Sequence, residues 1–256
     1  MNFENQGEPF AIVKLDEKTS KSKKTPILSI SDENLAQTCF KEFTLNGNDH
    51  FQLIPNPNKE RQILYISGAS GSGKSYFAKE YCNEFKKVFP KRDIYLISSL
   101  NEDLGSIDKI KDLKKIKLSD SFLEDELTAK DFQNSLVIFD DTDCLTNKPM
   151  KLKVQALLNS ILETGRHFNV YCIYTSHLPC AGNDTRRILN EAHSITFFPK
   201  SLNGVTLKNL LQNYLGLDKN QIRKLKNLKS RAITVVKSFP QVVLGEKDAY
   251  ILQVDI

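Results

Sequence analysis

The octet Gly68-Ala69-Ser70-Gly71-Ser72-Gly73-Lys74-Ser75 follows the apolar run ILYIS and precedes the amphipathic stretch YFAKEYC. Its spacing, G-x-x-x-x-G-K-S, suits a loop that wraps a chain of phosphates. Gly71 and Gly73 permit backbone conformations and a close approach that a Cβ would block. Successive N–H groups from Ser70 to Ser75 can then converge on one anion, reinforced by the N-terminus of the helix that follows. Lys74 is placed to reach β- and γ-phosphates and the Ser75 hydroxyl to ligate Mg²⁺. With Gly68, Ser70, Gly71, Ser72, Gly73 and Tyr76, these residues form the candidate binding set for a nucleoside triphosphate.

Two further constellations follow. The run SLVIFDD puts Asp140 and Asp141 at the C-terminal edge of a predicted strand, the edge on which open α/β sheets bind ligands. Asp140 would hold the hydration shell of Mg²⁺. Asp141, directed elsewhere by strand alternation, would orient and polarise the attacking water. The string DDTD is also turn-forming in its own right. In LLNSILETGRHFNVYCIYTSHLP, a helix ends at Gly165-Arg166 and a strand ends at Thr175-Ser176-His177. A polar residue there stands beside Asp140 if the two strands are neighbours and could contact the γ-phosphate or the water; His177 taken by itself also reads as a surface or capping histidine. Arg166 has two readings: a finger reaching the γ-phosphate of a neighbouring subunit, or a cation neutralising the end of its own helix. Arg186 and Arg187 are the alternative fingers. His50, His167, His177 and His193 form no zinc spacing.

These residues need a scaffold, and the apolar pattern supplies one. QILYIS, DIYLISSL, SLVIFDD, NVYCIYTS and SITFF read as near-continuous buried strands. Between them lie a helix from Lys74 to Val88, a charged section 101–131 read as one or two helices, and helices at Lys151–Thr164 and Thr185–Ala192. In the third, Leu152, Leu157, Leu158, Ile161 and Leu162 are expected on one buried face. Strands alternating with helices imply an α/β fold with a mostly parallel central sheet flanked on both faces. Residues 1–45 read as an arm with a strand at FAIVKL, a flexible lysine-rich linker DEKTSKSKKTP, and a second strand at PILSI; 46–200 form the core. Residues 201–256 form a basic extension, with two short helices followed by strands at AITVVK, QVVL and AYILQV.

With 256 residues, 40% hydrophobic and 26% charged, the chain suits one α/β domain with appendages. Its formal charge of +5 permits a nucleic-acid partner without demanding one. Cys39, Cys82, Cys144, Cys172 and Cys180 are odd in number and include no CxxC pair, so free thiols in a reducing compartment are expected. The opening MNFENQGEPF lacks the basic start and apolar core of a signal peptide, and no run approaches the ~20 apolar residues of a membrane span. A soluble intracellular protein without a membrane partner is expected. No N-K-x-D segment reads guanine, and no arginine-rich insertion marks a kinase lid.

The motifs GASGSGKS, LVIFDD, ILETGRHFNVYCIYTSH and RRILNEAHSITFFP, in this order, resemble the FtsK–HerA superfamily of DNA motors, and most of all the genome-packaging ATPases of poxviruses, giant viruses and virophages. The resemblance covers roughly residues 46–200. It implies a RecA-like P-loop NTPase core that hydrolyses ATP with Mg²⁺. It also implies assembly as a homo-oligomeric ring, a pentamer or hexamer, that drives double-stranded DNA into a preformed capsid. The partners would be capsid or portal proteins, and the location the virion or the viral factory in host cytoplasm. Lys74 and Ser75 would meet phosphate and Mg²⁺, Asp140 and Asp141 would be the acidic pair, and His177 the sensor. Asp141 stands where the superfamily often carries Glu, and His177 where it often carries Gln. A phosphotransferase and a nucleotide-binding assembly factor without turnover are the other two readings of the loop. DNA would meet either the basic run from Lys200 to Arg231 or the loop lysines Lys148, Lys151 and Lys153; a solvated face is the plain alternative for the former.

Overall fold

The computed structural model describes residues 1–4, 6–16, 25–31, 41–98, 107–180 and 182–252. The lysine-rich linker and the end of AYILQV fall largely outside them. Strands β1 (Glu8–Lys14), β2 (Ile27–Ile30), β3 (Glu42–Thr44) and β4 (His50–Leu53) precede the core. Then come β5 (Ile63–Ser67), α1 (Lys74–Val88), β6 (Ile94–Ser98), β7 (Leu113–Ile116), α2 (Asp120–Glu124), β8 (Leu136–Asp140), α3 (Lys148–Thr164), β9 (Tyr171–Ser176), α4 (Asn183–Glu191) and β10 (Ser194–Phe197). The chain closes with α5 (Gly204–Asn209), α6 (Lys219–Asn227), β11 (Ile233–Val236), β12 (Val242–Leu244) and β13 (Asp248–Ile251).

A ten-stranded sheet runs in the order β3-β13-β12-β11-β10-β5-β9-β8-β6-β7. From β10 to β7 neighbouring strands are parallel; from β10 to β3 they are antiparallel. The C-terminal strands therefore continue the core sheet. A three-stranded antiparallel sheet, β2-β1-β4, lies apart.

Alternation along the strands divides the core between two faces. Ile63, Tyr65, Val137, Phe139, Cys172 and Tyr174 join α3, α4 and the C-terminal helices on one face. Leu64, Ile66, Leu136, Ile138, Tyr171 and Ile173 meet α1 and the small sheet on the other. On α1, Ala78, Tyr81, Cys82 and Phe85 are buried at helical spacing, each large side chain contributing about 2–3 kcal/mol of transfer free energy. Lys14 of β1 grips this helix from behind, with Nζ 2.9 Å from Glu80 and 3.1 Å from the buried Glu84.

Three expectations are corrected. Section 101–131 carries the edge strand β7 as well as α2, because LKKI needs only one covered side and leaves its lysines exposed. Helix α3 begins at Lys148, where the Asn147 side chain accepts the Met150 N–H and Pro149 fits the first turn. Its buried stripe is Met150, Val154, Leu157, Leu158, Ile161 and Leu162, whereas Leu152, five residues before Leu157 and so off the stripe, is 61% exposed. The stretch after Gly204 is not one regular helix, since α5 widens into a π turn at Leu210–Tyr214. Among the described residues no helix is long and apolar enough to cross a membrane.

His193 ties β10 to the start of β5. Its Nδ1 accepts the Ile63 N–H at 3.1 Å and its own N–H donates to Ile63 O at 2.9 Å. Burial, with the charges of Arg61, Lys237 and Lys59, pushes this imidazole down from its ordinary 6.5 to about 4. The neutral ring is thus favoured on folding, and its contribution is complete above about pH 6.5 and is lost as pH falls toward 4. The change amounts to about 3 kcal/mol. His193→Asn keeps an acceptor and removes the proton site. We expect the wild-type urea midpoint to fall more steeply than the variant's between about pH 7 and about pH 4.5. Parallel curves would exclude the effect.

Candidate active site

Strand β5 delivers the loop and α1 carries it away. Gly68 N–H donates to Ser176 O of the adjacent β9 at 3.1 Å, which pins the loop's first residue to the sheet. A Cβ at Gly68 would lie 2.6 Å from Ser72 Oγ and 2.9 Å from the Phe198 ring, so nothing larger fits. Gly73 heads α1 at φ 114°, a conformation that L side chains rarely adopt. Ser70, Gly71 and Tyr76 are exposed along the outer rim, and Ser75 lies half-buried in the first helical turn. The Ser72 hydroxyl is buried with no hydrogen-bond partner among the described residues. An amide-lined, glycine-shaped cradle holding such an orphan donor fits a phosphate chain.

Strand β9 lies between β5 and β8, so its end faces both the loop and the acids. Lys74 Nζ donates to Gly68 O at 3.0 Å, faces His177 Nδ1 at 3.3 Å and stands 3.6 Å from Asp141 Oδ1. His177 Nε2 is 2.9 Å from Asp141 Oδ2. With an ammonium facing Nδ1, the ring proton belongs on Nε2, donating to the carboxylate. The Thr175 hydroxyl donates to Asp140 Oδ1 at 2.7 Å, accepts the Asp141 N–H at 3.0 Å and lies 3.2 Å from Asp141 Oδ1. Lys74, Asp140, Asp141 and His177 therefore meet at one sheet edge.

Strand alternation does not separate the two acids as expected. The strand stops at Asp140, Asp141 turns into the left-handed region at φ 49°, and both carboxylates reach Thr175. Asp143 was read only as part of a turn; it accepts from the Ser176 hydroxyl at 2.8 Å and the His177 N–H at 3.2 Å, fixing the end of β9. From the far end of the chain, Ser201 Oγ accepts the Ala69 N–H at 3.3 Å and Arg231 Nε donates to Ser72 O at 2.9 Å. No spacing rule could have found these, because the partners lie over a hundred residues apart.

Arg166 lies elsewhere. It precedes β9, whereas His177 follows it, and the six residues of that strand span about 20 Å. Its Nε donates to Glu60 Oε2 at 2.5 Å. The helix end's own carbonyls are met by Arg61, whose Nη1 donates to Ile161 O at 2.9 Å and Leu162 O at 3.0 Å. Arg187 pairs with Glu163. Arg166 thus stands on the sheet edge opposite its own loop, out of that loop's reach.

No protein-family model matches the chain. It is 40% identical over 255 residues to the uncharacterized protein V3 of Sputnik virophage, covering 97% of each. The chain belongs to the V3 family of virophages. The V3-family chain shares its fold with the cytoplasmic domain of the type VII secretion ATPase EccC of Thermomonospora curvata, at a TM-score of 0.53 and 12% identity over 84% of this chain and 29% of that one. B204, the DNA-packaging ATPase of Sulfolobus turreted icosahedral virus, aligns with 73% of the V3-family chain and 98% of its own at 19% identity and a TM-score of 0.48. The fold is that of a P-loop NTPase, with a mostly parallel central sheet between helices. A virophage relative is what the motif resemblance leads one to expect.

Proposed function

We propose that this chain is a Mg²⁺-dependent ATPase that translocates double-stranded DNA and packages a viral genome into a preformed capsid. The observation that carries the reading is the meeting of Lys74, His177 and Asp141 beside the Thr175-bound Asp140, at the sheet edge where the glycine cradle opens. The V3-family membership and the motif resemblance support the viral setting.

The residues present fit the substrate and its metal. Amides of residues 70–75 other than that of Ser72, which donates to Ala69 O, bind the phosphates, and Lys74 leaves its contacts within the chain for the β,γ-oxygens. A Mg²⁺ ion held by Ser75 Oγ and, through water, by Asp140 would neutralise charge on those oxygens. Asp141 and His177 then orient the attacking water, and their direct hydrogen bond lets a proton pass between them. Thr175 keeps the two acids in register as the site fills, donating to the Asp140 carboxylate and accepting the Asp141 N–H.

DNA is gripped through its backbone, without base reading. Lys200, Lys226 and Lys229 line one cleft with Gly71 and Ser72, so the basic residues of the extension border the nucleotide loop. The active form is a homo-oligomeric ring docked on capsid or portal proteins, within the virion or the viral factory.

The test is ATP turnover by the full chain with Mg²⁺, with and without duplex DNA, across a salt series. Stimulation by DNA that declines steeply with salt is expected. Turnover only with a small phosphoryl acceptor would establish a phosphotransferase. ATP binding without turnover under every condition would establish an assembly factor.

A further inference from the structure

Arg231 stands just before β11, and its side chain crosses to the loop at 68–75. Nε donates to Ser72 O at 2.9 Å and Nη2 lies 3.5 Å from Gly71 O. The residue's backbone N–H donates to Glu246 Oε2 at 3.3 Å, anchoring its base. A Cβ added to Gly73 would meet Nη2 at 3.3 Å and Cζ at 3.4 Å. The guanidinium therefore lies against the loop at its closest turn, on the carbonyl side.

A peptide unit is planar and trans, so its C=O and N–H point in opposite directions. Ser72 O and Gly73 N–H belong to one such unit. Holding the oxygen with a cation on one side turns the N–H to the other, and the charge polarises the unit, making that N–H a stronger donor. The contact with Gly71 O restrains the preceding unit, whose own N–H, that of Ser72, donates to Ala69 O at 3.1 Å and braces the turn.

We propose that Arg231 is a positioning residue of the nucleotide loop, holding the Gly71 and Ser72 carbonyls so that the Gly73 amide is aimed at the bound phosphates. This rests on the reading of residues 68–75 as a nucleotide loop. Lysine is a poor substitute, since its flexible point charge lacks the fixed planar fork with which Nε and Nη2 face two successive carbonyls.

Binding of a fluorescent ATP analogue to the full chain tests this, with wild type, Lys74→Ala, Arg231→Ala and Arg231→Lys compared. Both Arg231 variants should bind about tenfold more weakly, the loss expected for a charge-assisted contact. Added guanidinium ion, far below denaturing concentration, should restore part of the Arg231→Ala loss. In ¹⁵N-resolved spectra of nucleotide-free protein the Gly73 amide proton should move upfield in Arg231→Ala while the Ile97 amide stays in place. A structural role confined to overall stability would move neither the Gly73 signal alone nor the rescue. Wild-type affinity with an unmoved Gly73 signal, alongside weakened Lys74→Ala, would overturn the Arg231 proposal and leave the loop reading intact. Failure of wild type to bind any nucleotide would sink both.

Discussion

Lys74→Ala is expected to lower ATP turnover at least about a thousandfold, which corresponds to about 4 kcal/mol of transition-state stabilisation. The ammonium is 5% exposed and already desolvated, so its attraction for the β- and γ-oxygens is little weakened by water. Its present partners are the Gly68 carbonyl, His177 and Asp141, all grouped at the point where the γ-phosphate would sit. Truncation removes the one cation that the loop sequence supplies there. It does not strand a buried charge, because the Asp141 carboxylate is partly open to solvent and keeps His177 at 2.9 Å. The variant should therefore melt near the wild-type temperature while losing phosphate release. Wild-type turnover in a verified Lys74→Ala sample would remove the site altogether.

The second large effect concerns Arg166. Arg166→Ala should reduce kcat by about a thousandfold in assembled protein and leave nucleotide affinity of the isolated chain unchanged, as expected for a guanidinium that meets transition-state charge from a neighbour. Asp141→Asn should also lose turnover, for the different reason that its water is no longer polarised. Mixing the two single variants should recover partial activity. At some interfaces an intact Arg166 from one chain then faces an intact Asp141 from the other. The Arg166–Glu60 pair is no obstacle, since an exposed ion pair screened by water and salt is readily exchanged. Absence of rescue in mixed assemblies of verified composition would count against a finger at this position and turn attention to Arg186 and Arg187. The placement of loop and arginine on opposite sheet edges also favours a head-to-tail contact between copies, which closes as a ring, over a two-fold dimer.

Much of this arrangement was legible in the sequence wherever one physical signal dominated. The strands ILYIS, VIFD and YCIYTS are buried on both faces and so read as unbroken apolar runs, and the glycine–lysine spacing sits where a strand must turn into a helix. What escaped had a mixed signal or none. LKKI in β7 alternates poorly because it is an edge, with exposed lysines that mimic a helical surface. Leu152 looked like core only because leucine is apolar; its angle on α3 turns it outward. The convergence of Asp140 and Asp141 on Thr175 depends on a left-handed residue just beyond the strand, which sequence periodicity does not encode. Arg231 could be recognised as basic, but its reach to Ser72 is a property of the folded sheet, in which β11 returns beside β10.

The grip of Lys14 on Glu80 and Glu84 carries a mechanical consequence. Lys74 and Glu80 sit on one rod, separated by about 9 Å at ~1.5 Å per residue. The opening strand of the polypeptide and the ammonium that meets the substrate thus ride on a single rigid lever. A load or tether fixed to the first strand would therefore be felt at the start of the helix, where the phosphate-binding loop ends.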